Sequence, residues 1–159
     1  MAGPVKESAH KPALLEAATA LREVHKVLVR AVRFAYEREV GPVGGPGYLL
    51  RLLTEDPYFA WLHPMSELIV DLDALLAQEL LPPGTVAGVR MEVNRLTQAG
   101  GSPFWEKYAP LLQSEPQVAV AHGRLRQALK ALPSAAAEEM HARKEWATPR
   151  VHAKRSSRS

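Results

Sequence analysis

Apolar residues recur at helical spacing along most of this chain. Leu14, Leu21, Leu28 and Ala35 return every seven residues, and Ala18, His25 and Val32 fall four later each time. Steps of three and four stack side chains on one helical face, so a long amphipathic helix is predicted over 12–39. Lys26, Arg30, Arg33, Glu37 and Arg38 fall on its solvated side. The run from Gly41 to Gly47, rich in glycine and proline, cannot continue that helix and reads as a corner. No Gly-Lys-Ser/Thr follows it and no strand precedes it, so a phosphate loop does not fit.

Residues 48–55 read as a short helix, and Asp56-Pro57 restarts the chain as a cap followed by a first helical residue. Pro64 marks another start or a kink. Met65, Leu68, Ile69, Leu72, Leu75, Leu76 and Leu80 then form an apolar stripe that ends before Pro82-Pro83-Gly84. A further helix is predicted over 84–98, with Val86, Val89, Val93 and Leu96 inward and Gly100-Gly101 as its stop. Ser102-Pro103 repeats the cap-and-proline start, and Pro110 bends or restarts the segment. Ser114-Glu-Pro-Gln117 fits a capping box ahead of a helix lined by Val118, His122, Leu125, Leu129 and Leu132.

No segment alternates as a half-buried strand does. The expectation is an all-α protein: an antiparallel bundle of about four long helices, with short helical pieces at 48–63 and 103–113 covering its ends or side. Residues 1–11 read as a flexible N-terminus and 12–133 as the bundle. Residues 134–147 favour a C-terminal helix by composition. Residues 148–159 are basic, serine-rich and poor in apolar residues, and read as a disordered tail.

Charge adds one refinement. The chain carries 20 Lys+Arg and 17 Asp+Glu, and the excess of three lies wholly in residues 134–159. A reader of nucleic acid usually carries its basic stripe on the folded body, so only a weak, salt-sensitive contact by the tail is expected. Cysteine is absent, which excludes disulfides and thiolate metal sites. No apolar run is long enough to span a membrane and no signal peptide is recognisable, so the cytosol is the expected setting.

Candidate chemistry centres on the histidines. His25 and His122 lie on apolar stripes, and His63 stands four residues before Glu67, which places the pair on one helix face. His63-x-x-x-Glu67 resembles one piece of the metal site of hemerythrin-like bundles. As the alternative reading, facing helices that brought His25, His63, Glu67 and His122 together would make a metal- or ligand-binding sensory bundle. The family's second histidine pair has no counterpart, since residues 84–98 contain no histidine, and the two Glu-x-x-His pairs of ferritin-like sites are absent. No metal or cofactor is expected on this reading. His63, Glu67 and Asp71 also form a polar ladder suited to acid–base work in a cleft, or to the solvated side of a helix.

A third feature is a pair of similar segments. Residues 56–64 and 102–110 each read cap, proline, aromatic pair and a second proline seven residues after the first, and together hold six of the ten aromatics. Trp61, Trp105 and Tyr108 are therefore candidates for recognition as well as for packing. With no nucleophile motif present, the function expected from the sequence is a helical protein-interaction or scaffold module, acting through a protein partner or self-association.

Overall fold

The computed structural model describes residues 2–134, with side chains from His10 onward; all but the first residue of the expected helix at 134–147, and the basic tail, lie outside the described residues. Six α-helices occupy most of this span, and no strand occurs among the described residues. They are α1 (Ala2–Glu39), α2 (Pro46–Glu55), α3 (His63–Leu76), α4 (Pro83–Thr97), α5 (Pro103–Ser114) and α6 (Pro116–Lys130), with a 3-10 turn at Ala60–Leu62 before α3.

Five of the six helices carry proline at their first or second position: Pro46, Pro64, Pro83, Pro103 and Pro116. A first-turn amide has no intrahelical acceptor, so proline loses nothing there, and its fixed φ suits the helix. Helix α1 begins ten residues before the predicted boundary and carries Pro12 inside it. Proline there removes one hydrogen bond, and the pattern alone reads it as a start.

Helices α1, α3, α4 and α6 form the bundle. Arg22 of α1 pairs with Asp73 of α3, while His25 bonds Ser66 and Glu39 bonds Tyr58, so the two helices run in opposite directions. Arg90 of α4 donates to the Leu132 carbonyl at 2.7 Å and Arg126 of α6 donates to Asn94, which sets those helices antiparallel too. Helix α6 also runs antiparallel along α1, with Ala131 near Leu15 and Pro116 near Phe34. The result is an up-down-up-down bundle, the sense the short connections predict. Both long crossings, α2 with the 3-10 turn and α5, fall at the end of the bundle where α1 finishes. The core is continuous and mainly aliphatic, with Leu14, Leu21, Leu28, Leu72 and Leu125 all fully buried and Phe59 and Tyr108 joining it.

Three local expectations need correction. Helix α3 ends at Leu76, not Leu80; Leu80 is exposed and its neighbour Leu81 is fully buried in the connection to α4. The chain leaves the helix after Leu76, so the apolar phase shifts by one residue. The capping box at Ser114 does not form: Ser114 closes α5, and Glu115 alone links α5 to α6 in an extended conformation. Proline at 116 disfavours helical backbone in the residue before it, which separates the two helices with a single residue. Pro110 lies within α5 and does not break it.

The two similar segments differ in structure and chemistry: Pro103 opens α5, whereas Pro57 opens a turn ahead of the 3-10 segment and not the helix that Asp56-Pro57 predicts. The Asp56 carboxylate accepts from the Tyr58 amide at 2.8 Å. Ser102 stands at the corresponding place before α5, yet its hydroxyl is buried without a hydrogen-bond partner among the described residues. Asp56→Ala is therefore expected to cost about 1 kcal/mol. Ser102→Ala, which removes an unsatisfied buried group, is expected to be neutral or stabilising by up to ~1 kcal/mol. Urea unfolding of both variants checks the contrast; equal losses would contradict it.

Candidate functional site

The two aromatic-rich segments meet at the crossing end of the bundle. Trp61 packs on Phe104 with ring centroids 5.1 Å apart, and Phe104 continues to Tyr108, which also touches Trp105. Tyr36, Tyr58 and Phe59 form a second cluster beside them. Tyr108 and Phe59 are wholly buried, and Trp61 and Trp105 are partly buried against the core. These rings close the bundle end. Tyr108, a recognition candidate in the sequence, offers no surface to a partner.

Each candidate histidine serves a different contact. His25 Nε2 bonds the Ser66 hydroxyl at 2.8 Å and ties α1 to α3. His63 donates from Nε2 to the Leu53 carbonyl at 2.7 Å, which satisfies one of the free carbonyls in the last turn of α2. His122 Nδ1 shares a 2.8 Å hydrogen bond with the Tyr108 hydroxyl, joining α6 to α5. Glu67 is exposed on α3 and Asp71 half-buried. His25, His63, Glu67 and His122 do not converge, and among the described residues no three His, Asp or Glu side chains are grouped to hold a metal ion. One buried carboxylate escaped sequence reasoning: Glu92 of α4 lies against the core with the Arg95 guanidinium 3.6 Å away.

Burial sets the electrostatics of these contacts. It pushes the Tyr108 hydroxyl well above the ordinary tyrosine range, against a weaker opposing pull from Arg126. Burial lowers His25, and burial followed by the positive charge of Arg126 lowers His122. Both imidazoles therefore hold protons less tightly when folded than when unfolded. Their contribution to stability is complete above the unfolded value of about 6.5 and is lost as pH falls through the lower folded values. The melting temperature is expected to drop between pH 7.5 and 5, and the double variant His25→Gln, His122→Gln to flatten that drop. A wild-type melting temperature that rises on acidification would contradict the assignment.

A run of open hollows lies elsewhere, along the seam of α1 and α6. Three adjoining hollows, of about 850, 310 and 430 Å³, run in order from Leu15 to Phe34. Consecutive hollows share walls, Glu23 and Arg124 between the first two and Val27, Arg30 and Pro116 between the last two, so they form one groove. Three apolar side chains that are more than half exposed mark its length: Leu15 at 54%, Val120 at 57% and Phe34 at 59%. Arg38 places its guanidinium 5.0 Å from the Phe34 ring centre. Glu16, Glu23, Arg30 and Arg124 also line the groove and take part in no ion pair among the described residues.

The sequence contains a signal for this groove. Leu15, Val27 and Phe34 are apolar but out of phase with the stripe through Leu14, Leu21 and Leu28. A helix with a second apolar edge has a second surface to cover. No helix among the described residues is long and apolar enough to cross a membrane. No protein-family model, curated protein or solved structure matches the chain. The fold and its surface thus define the class: an all-α helical bundle with an open groove between two of its helices.

Proposed function

We propose that this chain is a helical protein-interaction module, acting through a protein partner or another copy of itself, and that the groove between α1 and α6 is where it docks. One observation carries the reading: exposed Leu15, Val120 and Phe34 lie along a single concave seam together with charges that have no ion-pair partner among the described residues. Singly scattered apolar residues are normal on a protein surface, whereas an aligned set with a polar rim marks a place of contact. A groove between two helices suits an amphipathic helix presenting side chains three and four residues apart. The cytosol fits this role as the working location.

The reading is tested by placing a photo-cross-linking amino acid at Phe34, at Val120 and, as a control outside the groove, at Val70, which is 66% exposed on α3. Irradiation in cells is expected to give discrete protein adducts from positions 34 and 120 and none from 70. Equal labelling from all three positions would contradict it.

A further inference from the structure

We infer that the occupant of the groove is a second copy of this chain, with the two α1 helices crossing antiparallel about a twofold axis near residues 24 and 25. The inference rests on the groove being a docking surface and adds the identity of what docks. It comes from the order of charges along the open side of α1. Glu16 and Glu23 lie in the first half of that face, and Lys26, Arg30 and Arg33 in the second. Residue 24.5 is midway between Leu15 and Phe34, the exposed apolar residues that mark the ends of the groove on α1.

Antiparallel pairing about that midpoint matches residues whose numbers sum to 49. Leu15 then meets Phe34 of the other copy, Glu16 meets Arg33, and Glu23 meets Lys26. Each contact occurs twice, because a twofold interface is self-complementary. Parallel pairing in register would instead set glutamate against glutamate and arginine against arginine, which is repulsive. Arg33 has a competing partner on its own helix, Glu37 at 3.6 Å, but both side chains are solvated and such pairs hold weakly. Arg124, projecting from α6 into the same groove, adds positive charge beside Glu23.

Size sets the expected strength. Residues 15–34 span about 30 Å of helix. Two helices side by side are about 20 Å across, so the pairing covers on the order of 600 Å² per copy, the lower end for specific complexes. A reversible dimer is the expected form, visible at micromolar and higher concentrations and dissociating on dilution.

Sedimentation of the full chain over a concentration series provides the test, with melting temperature measured in parallel. Glu23→Lys and Lys26→Glu each set like charges across the axis and are expected to weaken the dimer about tenfold or more. Mixed in equal amounts, the two variants regain opposite charges at both contacts and are expected to form a heterodimer. The chain carrying both substitutions is expected to recover the homodimer. A protein that stays monomeric throughout the series, or single variants that dimerise like the wild type, would overturn the inference. So would a dimer lost on deletion of 135–159 and indifferent to the charge reversals, since the contact would then belong to that segment. If the groove cross-links to a different protein while the chain stays monomeric, the docking surface stands and the second copy falls.

Discussion

Replacing Tyr108 with alanine is expected to remove about 3–5 kcal/mol of stability, a large fraction of the ~5–15 kcal/mol that holds a small domain together. The ring is wholly buried and touches Phe104, Trp105 and the His122 imidazole with centroids 5.5, 5.9 and 5.6 Å away. Its removal opens a cavity at the junction of α5 and α6, where the remaining rings are too rigid to collapse inward. Tyr108→Phe keeps the packing and loses only the bond to His122, so about 1 kcal/mol is expected. Denaturant unfolding of both variants separates the packing contribution from the hydrogen bond. A loss below ~1 kcal/mol for the alanine variant would show that the aromatic end does not hold the bundle closed.

Gly101→Ala is the second large effect. Gly100 has φ +77°, in the left-handed region that other residues avoid, and turns the chain after α4. Gly101 then passes so close to α4 that an added Cβ would run into the Arg95 carbonyl. The obstacle is helical backbone and cannot rotate aside as a side chain would. A cost near the upper end of the ~1–3 kcal/mol typical of overpacking is expected, with α5 pushed off its seat. Gly47 provides the contrast, because it lies in the first turns of α2 with open space where a Cβ would go. Gly47→Ala is expected to stabilise by up to about 1 kcal/mol, the ordinary helix-propensity difference. Thermal melting of the pair distinguishes close approach from mere helix termination; a neutral Gly101→Ala would mean that the loop has room to shift.

Both glycines belong to runs that read from sequence only as helix stops, and this marks what the chain discloses about itself. Fold class was legible because it depends on periodicity, and the stripe through Leu14, Leu21 and Leu28 is the buried face of α1. Helix starts were legible at Pro64 and Pro103, but the same signal misleads at Pro12, which lies inside α1, and at Pro57, which opens a turn. The end of α3 was not: leaving the helix after Leu76 depends on how Leu81 is buried, a tertiary matter that the stripe through Leu80 conceals. Ser114 has the right neighbours for a capping box, but adjacent helices compete for it and α5 keeps it.

The candidate sites divide the same way. Histidines on apolar faces were found from spacing, but the identity of their partners was not. Ser66, the Leu53 carbonyl and Tyr108 are 41, 10 and 14 residues away along the chain. The groove required knowing that α6 lies beside α1. Only then do Leu15 and Phe34 on one helix and Val120 on the other belong to a single surface.

The most direct test of that surface compares Val120→Asp with Trp105→Ala, measuring self-association by sedimentation and folding by melting temperature. Val120 stands exposed in the groove and Trp105 helps to close the aromatic end. Val120→Asp is expected to abolish association while leaving the melting temperature unchanged, because its side chain already faces solvent. Trp105→Ala is expected to lower the melting temperature and to associate as the wild type does while folded. The account would be contradicted if Val120→Asp still associated normally and folded Trp105→Ala did not.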